Sequence, residues 1–141
     1  MTSEEGLVRR YFEAFNRHDI EGVMACFSED AVMISANGRR RNGLTEIRRS
    51  YESGFSMLPD GRCDLRACTG GNGRAMAESI FRGTGPGGET VRLVGVESIE
   101  ISGGRIKQIR DYHLQMPSVS NDSAGTGGRI CFAPPRARVY R

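Results

Sequence analysis

Residues 93–114 read LVGVESIEISGGRIKQIRDYHL: two runs rich in β-branched residues around a Ser-Gly-Gly turn, the pattern of a β-hairpin. Side chains alternate along an extended chain, so Leu93, Gly95, Glu97, Ile99 and Ile101 share one side. On the returning run Ile109, Asp111 and His113 share one too. A three-residue loop at Ser102–Gly104 sets Gly95 opposite Asp111 and leaves Glu97 diagonal to it, roughly 7–8 Å away. Two carboxylates and a histidine on a largely apolar face are unfavourable to bury unless a ligand or partner uses them. The hairpin is therefore where function is expected.

Upstream of it the chain is strands between glycine punctuation: CDLRACT, a GGNG turn, RAMAESIFRG and a PGG turn. Helical periodicity comes earlier still. Thr2 and Glu5 form a capping box ahead of Leu7, Val8, Tyr11, Phe12 and Phe15, which recur at three- and four-residue spacing. Asp19 caps a short second helix with Ile20, Val23, Met24 and Phe27 on its apolar side. Ser28-Glu29-Asp30 reads as a turn and AVMIS as a strand. After the loop ANGRRRNG, a third helix from about Leu44 carries Leu44, Ile47, Tyr51 and Phe55 towards the core and stops before Pro59-Asp60-Gly61. Helices first and a meander of strands afterwards is an α+β pattern. Its expected form is a cone-shaped, curved antiparallel β-sheet with three N-terminal-side helices on its concave face, enclosing a pocket.

The chain has 141 residues, enough for one domain with a real core. Residues 1–116 are expected to form it, and 117–141, rich in Gly, Ser and Asn and then basic, a linker and flexible tail. The net charge of +3 comes from that tail, where Arg129, Arg136, Arg138 and Arg141 face only Asp122. The remainder is balanced, so no nucleic-acid face is implied. No apolar run reaches the roughly 20 residues of a membrane span. The first residues lack the layout of a secretory signal, which makes the cytoplasm the expected compartment. Cys26, Cys63, Cys68 and Cys131 have no metal-ligand spacing and read as free thiols, with no metal and no cofactor expected.

YFEAFNRHDIEGVMACFSEDAVM at 11–33, then FRGTG at 81–85 and GVESIEISGGRIKQIRDYH at 95–113, resemble in that order the nuclear transport factor 2-like superfamily. Within it they are most similar to the SnoaL-like polyketide cyclases and the ketosteroid isomerases. The resemblance covers about residues 4–115 and implies a cystatin-like roll, usually dimeric. It sets Asp111 where the cyclases keep their acid/base aspartate. Glu97 and Tyr11 fall where the isomerases keep the protonated aspartate and the tyrosine of the oxyanion hole. The general-base aspartate of those isomerases falls on Ser35, which cannot serve as that base, so ketosteroid isomerisation is not expected.

Each candidate also has a plain structural reading. Asp111 is either the acid/base or a strand-end carboxylate paired with an arginine. His113 either relays a proton to Asp111 or is a polar lining residue. Glu97 is a neutral hydrogen-bond donor or an ion-paired carboxylate. Glu78, alternating with Met76 and Ile80, is a third acid in the cavity, with Arg82 on that side nearer the mouth, or half of a buried Glu–Arg pair holding two strands together. The expected lining is Tyr11, Phe15, Tyr51 and Phe55 from helices, Met76, Glu78, Ile80 and Ile109 from strands, and Ser35. His18 reads as a surface residue of a helix–helix turn, and Arg39-Arg40-Arg41 as either a guide for an anionic substrate or a solvated run. The expected function is cofactor-independent acid–base chemistry, cyclisation or isomerisation, on a small hydrophobic carbonyl substrate, or epoxide hydration. The alternative is a non-catalytic dimeric module that holds a small ligand or a protein partner.

Overall fold

Thr2 accepts a hydrogen bond from the Glu5 backbone N–H and Glu5 accepts one from the Thr2 N–H, closing the capping box that starts helix α1, Ser3–Asn16. This computed structural model describes residues 1–117, so the tail proposed beyond Pro117, with Cys131 and the terminal arginines, lies outside the described residues. Leu7, Val8, Tyr11 and Phe12 of α1 are buried, as the stripe predicts. Asp19 caps α2, Ile20–Ala25, by accepting from the Gly22 N–H. The third helix, α3, spans Gly43–Met57 and buries Ile47 and Tyr51.

Among the described residues the five expected strands appear in order and two short ones, β2 and β7, are added: β1 Phe27–Ile34, β2 Arg40–Asn42, β3 Arg62–Gly71, β4 Arg74–Thr84, β5 Thr90–Ser102, β6 Arg105–Asp111 and β7 Leu114–Gln115. They form one curled sheet in the order β2-β1-β6-β5-β4-β3, with β7 pairing β5 beyond the end of β6. The pairings are antiparallel except β1 with β6, which is parallel. Helices on one side of a largely antiparallel sheet make this an α+β roll. Ser28-Glu29-Asp30 is part of β1 and not a turn, although the pairing with β6 is irregular between Phe27 and Val32. The Arg40–Asn42 part of the expected loop is drawn into β2, where Arg41 pairs with Met33. Among the described residues no helix is long and apolar enough to cross a membrane.

The register of the β5–β6 hairpin differs from the expected one. Ser102 pairs with Arg105, so the turn has two residues, Gly103 and Gly104, at φ of 59° and 73°. Two successive positive φ angles match the right-handed twist of the strands and suit glycine. A bulge then places Lys107 as the extra residue between the Ile101–Ile106 and Glu100–Gln108 pairs. Turn and bulge together move the pairing so that Glu97 lies directly opposite Asp111 rather than diagonal to it.

The faces of β4 are also opposite to those expected. Ala75, Ala77 and Ser79 are buried, while Met76, Glu78 and Arg82 are exposed. Ile80 shares the outer alternation, so Met76, Glu78 and Ile80 do not line the pocket. Strand β4 carries apolar residues at both parities, and its inner row of Ala75, Ala77 and Ser79 continues to Phe81, which packs against Phe15 of α1 and lines the cavity. Arg82 pairs with Asp64 at 2.9 Å, not with Glu78.

Gly95 sits between Ser79 on β4 and the Tyr112–His113 link that follows β6. A Cβ there would strike the Tyr112 carbonyl and lie 2.7 Å from His113 Cα. With no side chain in the way, His113 leans across β5 and reaches Ser79 Oγ at 2.8 Å. Gly95→Ala is expected to push His113 off this path and to lower stability by about 1–3 kcal/mol, the usual range for overpacking. Urea unfolding measures it, and an unchanged midpoint would contradict the close approach.

Candidate active site

Between the helices and the inner face of the sheet lies a cavity of about 360 Å³, within the size range of small-molecule sites. Tyr11 and Phe15 reach it from α1, Tyr51 and Phe55 from α3, Ile109 from β6 and Ser35 from the end of β1. Glu97, Asp111 and His113 line it as well. Strand alternation brings the last three to one face, and the helical three- and four-residue spacing brings the aromatic rings over them.

Asp111 Oδ1 accepts two hydrogen bonds from His113, one from its backbone N–H at 2.8 Å and one at Nδ1, 2.5 Å away. His113 Nε2 points the other way, 3.2 Å from the Ser79 carbonyl and 2.8 Å from its hydroxyl. A carbonyl only accepts, so Nε2 carries a proton, and the charge state of the ring is decided at Nδ1 beside Asp111. Burial alone would lower the His113 imidazolium. The hydrogen bond and charge of Asp111, with the charge of Glu97, outweigh it and raise the group above its ordinary value. Ser79 is fully buried and was not recognised in the sequence, because the assumed alternation of β4 placed it outside.

Glu97 is the least satisfied group of the site. Its Oε2 is buried with no hydrogen-bond partner among the described residues. Burial, partly opposed by the His113 charge and reinforced by that of Asp111, pushes its carboxyl up to about 7. Nearby, the Tyr11 and Tyr51 hydroxyls share a 2.6 Å hydrogen bond. Burial chiefly, then neighbouring negative groups, raises both phenols above the usual tyrosine value. Whichever hydroxyl accepts in that bond keeps its own proton to donate elsewhere.

His18 belongs to the site although its sequence position reads as surface. It adopts φ 52° in the turn between α1 and α2, a left-handed conformation that His tolerates better than most residues. Its ring stacks on Phe55 with centroids 4.4 Å apart, and its Nε2 donates to the Gly61 carbonyl at 2.9 Å. The N-R-H-D turn carries no signal of this, because the stacking partner lies on another helix. Cys63 also lines the cavity, and burial above all pushes its thiol up to about 12. It stays a thiol there. Among the described residues no three His, Cys, Asp or Glu side chains gather as metal ligands.

The model of the SnoaL-like domain family matches residues 8–109. No curated protein matches the chain. Many solved structures share its fold. A protein assigned as a SnoaL-like polyketide cyclase from Shewanella putrefaciens CN-32 is similar at TM-score 0.71 and 17% identity, over 80% of this chain and 90% of that one. A protein of ketosteroid isomerase-like fold from Catenulispora acidiphila, in complex with trimethylamine, is similar at TM-score 0.68 and 14% identity, over 81% and 86%. SalBIII, an epoxide hydrolase/cyclase-like enzyme of pyran ring formation in salinomycin, is similar at TM-score 0.69 and 17% identity, over 79% and 88%. At these identities the likeness is one of fold.

The acids leave a signature in stability. Glu97 holds its proton more tightly folded than unfolded, so folding is most favoured below its ordinary value of 4.5 and weakens as pH rises towards about 7. His113 acts in the same sense: its contribution is present below its ordinary value of 6.5 and is lost as pH rises through the higher folded value. Glu97→Gln is expected to remove a loss on the order of 3 kcal/mol between acid and neutral pH, leaving the smaller slope of His113. Denaturant unfolding from about pH 4.5 to 8 checks the sign.

Proposed function

The chain belongs to the SnoaL-like domain family of the nuclear transport factor 2-like superfamily, and we propose that it is an enzyme of acid–base chemistry on a small, largely apolar carbonyl substrate. One observation carries this reading: two carboxylates face each other in an aromatic-lined cavity, one held by a histidine and the other with an oxygen buried without a hydrogen-bond partner among the described residues. Environments that differ in this way divide the roles of base and acid.

Asp111, its Oδ1 occupied by His113, presents Oδ2 as the base. It takes a proton from the carbon next to the substrate carbonyl, and the C–H electrons pass through the new C=C bond onto oxygen. Protonated Glu97 and the free hydroxyl proton of the Tyr11–Tyr51 pair stabilise that oxygen as its charge develops. Where a C=C adjoins that carbon, the resulting dienolate takes the proton back at the far end of the C=C as the double bond moves into conjugation, giving an isomer. Otherwise the enolate carbon attacks a second carbonyl of the same molecule, whose oxygen takes the proton, giving a ring. In either case the proton held by Asp111 returns to the product, and no electrons leave the substrate. His113 keeps the Asp111 carboxylate oriented between turnovers.

The test needs no natural substrate. Exchange of the α-protons of 2-tetralone in D2O, followed by NMR, reports the first step. Asp111→Asn should slow it by about 10²-fold or more with the fold intact. The rate should also fall as pH rises through about 7, where Glu97 loses its proton. Hydration of styrene oxide that depends on Asp111, with no exchange of the ketone, would assign epoxide opening instead. A chain that binds such compounds and transforms none of them is the binding module.

A second copy is the proposed partner, docked on the outer face of the sheet. The pairings Ile80–Val94 and Val94–Leu114 lay one apolar row across three strands there, and Met76, Tyr112 and Leu114 are 45%, 54% and 61% exposed beside it. Leu114→Asp should convert a dimer to a monomer in sedimentation analysis. A wild-type chain that sediments as a monomer at tens of micromolar overturns this proposal.

A further inference from the structure

The arginine run at 39–41 has no part in the chemistry above, and its three members are not alike. Arg39 and Arg40 are exposed, whereas Arg41 is half-buried. Arg41 pairs with Met33 across the β1–β2 ladder, and Met33, Ile34 and Ser35 all line the cavity. Its Nη1 donates to Ser35 Oγ at 2.8 Å, which fixes the guanidinium beside a lining side chain. The ion pairs among the described residues involve Arg48, Arg62, Arg74, Arg82 and His113, so Arg41 has no acidic partner there. A half-buried guanidinium with most of its donors uncommitted is poised for an anion, and its planar fork suits a carboxylate. Ser35 completes the site. Its oxygen accepts from Arg41, so its hydroxyl proton is free to donate to the same anion.

The position relative to the acids follows from the parallel β1–β6 ladder. Met33 pairs with Ile109 and Ile34 with Arg110, so Ser35 stands beside the strand end that carries Asp111. The geometry points to a substrate that is itself an apolar carboxylic acid, its carboxylate held by Arg41 and Ser35 and its reacting carbon turned towards Asp111. This names the substrate class of the proposed reaction and rests on that reading only for which carbon reacts. Charge order in the cavity sets the orientation: the anion lies at the basic edge, and the apolar body lies under the aromatic rings of α1 and α3.

Binding of 2-naphthoate and of neutral 2-naphthamide, measured by calorimetry at low salt, tests it. The wild-type chain should bind the carboxylate about tenfold more tightly than the amide. Arg41→Met should abolish that preference and leave the amide affinity within about twofold, which also shows that the pocket is still folded. Arg41→Lys keeps the charge without the fork and should lose about threefold on the carboxylate alone. Arg40→Met removes an equal charge from the adjacent exposed position and should change neither affinity. Equal affinity for the two compounds in the wild type overturns the proposal, as does an Arg40→Met loss matching that of Arg41→Met, which would mark a general field rather than a site. Amide binding without a carboxylate preference defeats this inference and leaves the acid–base reading standing. Failure of the chain to bind either compound defeats both.

Discussion

The pairing of Glu97 with Asp111 across β5 and β6 is the constraint on which the site depends. It exists because a two-residue Gly-Gly turn and a one-residue bulge at Lys107 add up to a particular register. Side chains on a strand alternate, so a slip of one residue would send Asp111 and His113 to the outer face and bring Arg110 and Tyr112 inside. The same register sets Gly95 beside His113. That gap lets the imidazole cross a strand and anchor on Ser79. One hairpin thus fixes Asp111, the histidine bonded to it and the facing Glu97 together.

The arrangement weakens the fold that carries it. A carboxyl buried without a partner opposes folding wherever it must ionise, and a second carboxylate on the next strand adds to the effect. The surrounding core offsets this through Leu7, Val8, Tyr11, Phe12, Ile47, Ile99 and Ile106, all well buried. The aromatic rings of α1 and α3 belong to the same cluster and also roof the cavity. Removing one of them therefore affects packing and the cavity together, whereas Arg41 and Ser35, bonded to each other at its edge, lie outside that cluster.

Much of the candidate site is legible in the sequence. Asp111, His113 and Glu97 were found because acids on apolar strands are rare enough to stand out. Tyr11, Phe15, Tyr51 and Phe55 followed from helical spacing. Glu78, Met76 and Ile80 were misplaced because β4 is apolar at both parities, so alternation could not choose a face. The choice is made by packing across the chain, with Ala75, Ala77 and Ser79 buried and Phe81 of the same row set against Phe15 of α1. His18 and Ser79 carried no local signal at all, since their partners, Phe55 and His113, are distant in the chain.

By itself the sequence determined the elements: where helices are capped, where glycines turn the chain and which residue types alternate. These are properties of neighbours a few positions apart, and local chemistry settles them. Tertiary structure decided the register of the hairpin, the inward face of β4, and which of three consecutive arginines bonds to Ser35 at the cavity edge. Each of those depends on contacts between residues far apart in the chain, where a bulge of one residue or the proximity of one helix changes the outcome. No periodicity within a single segment encodes that.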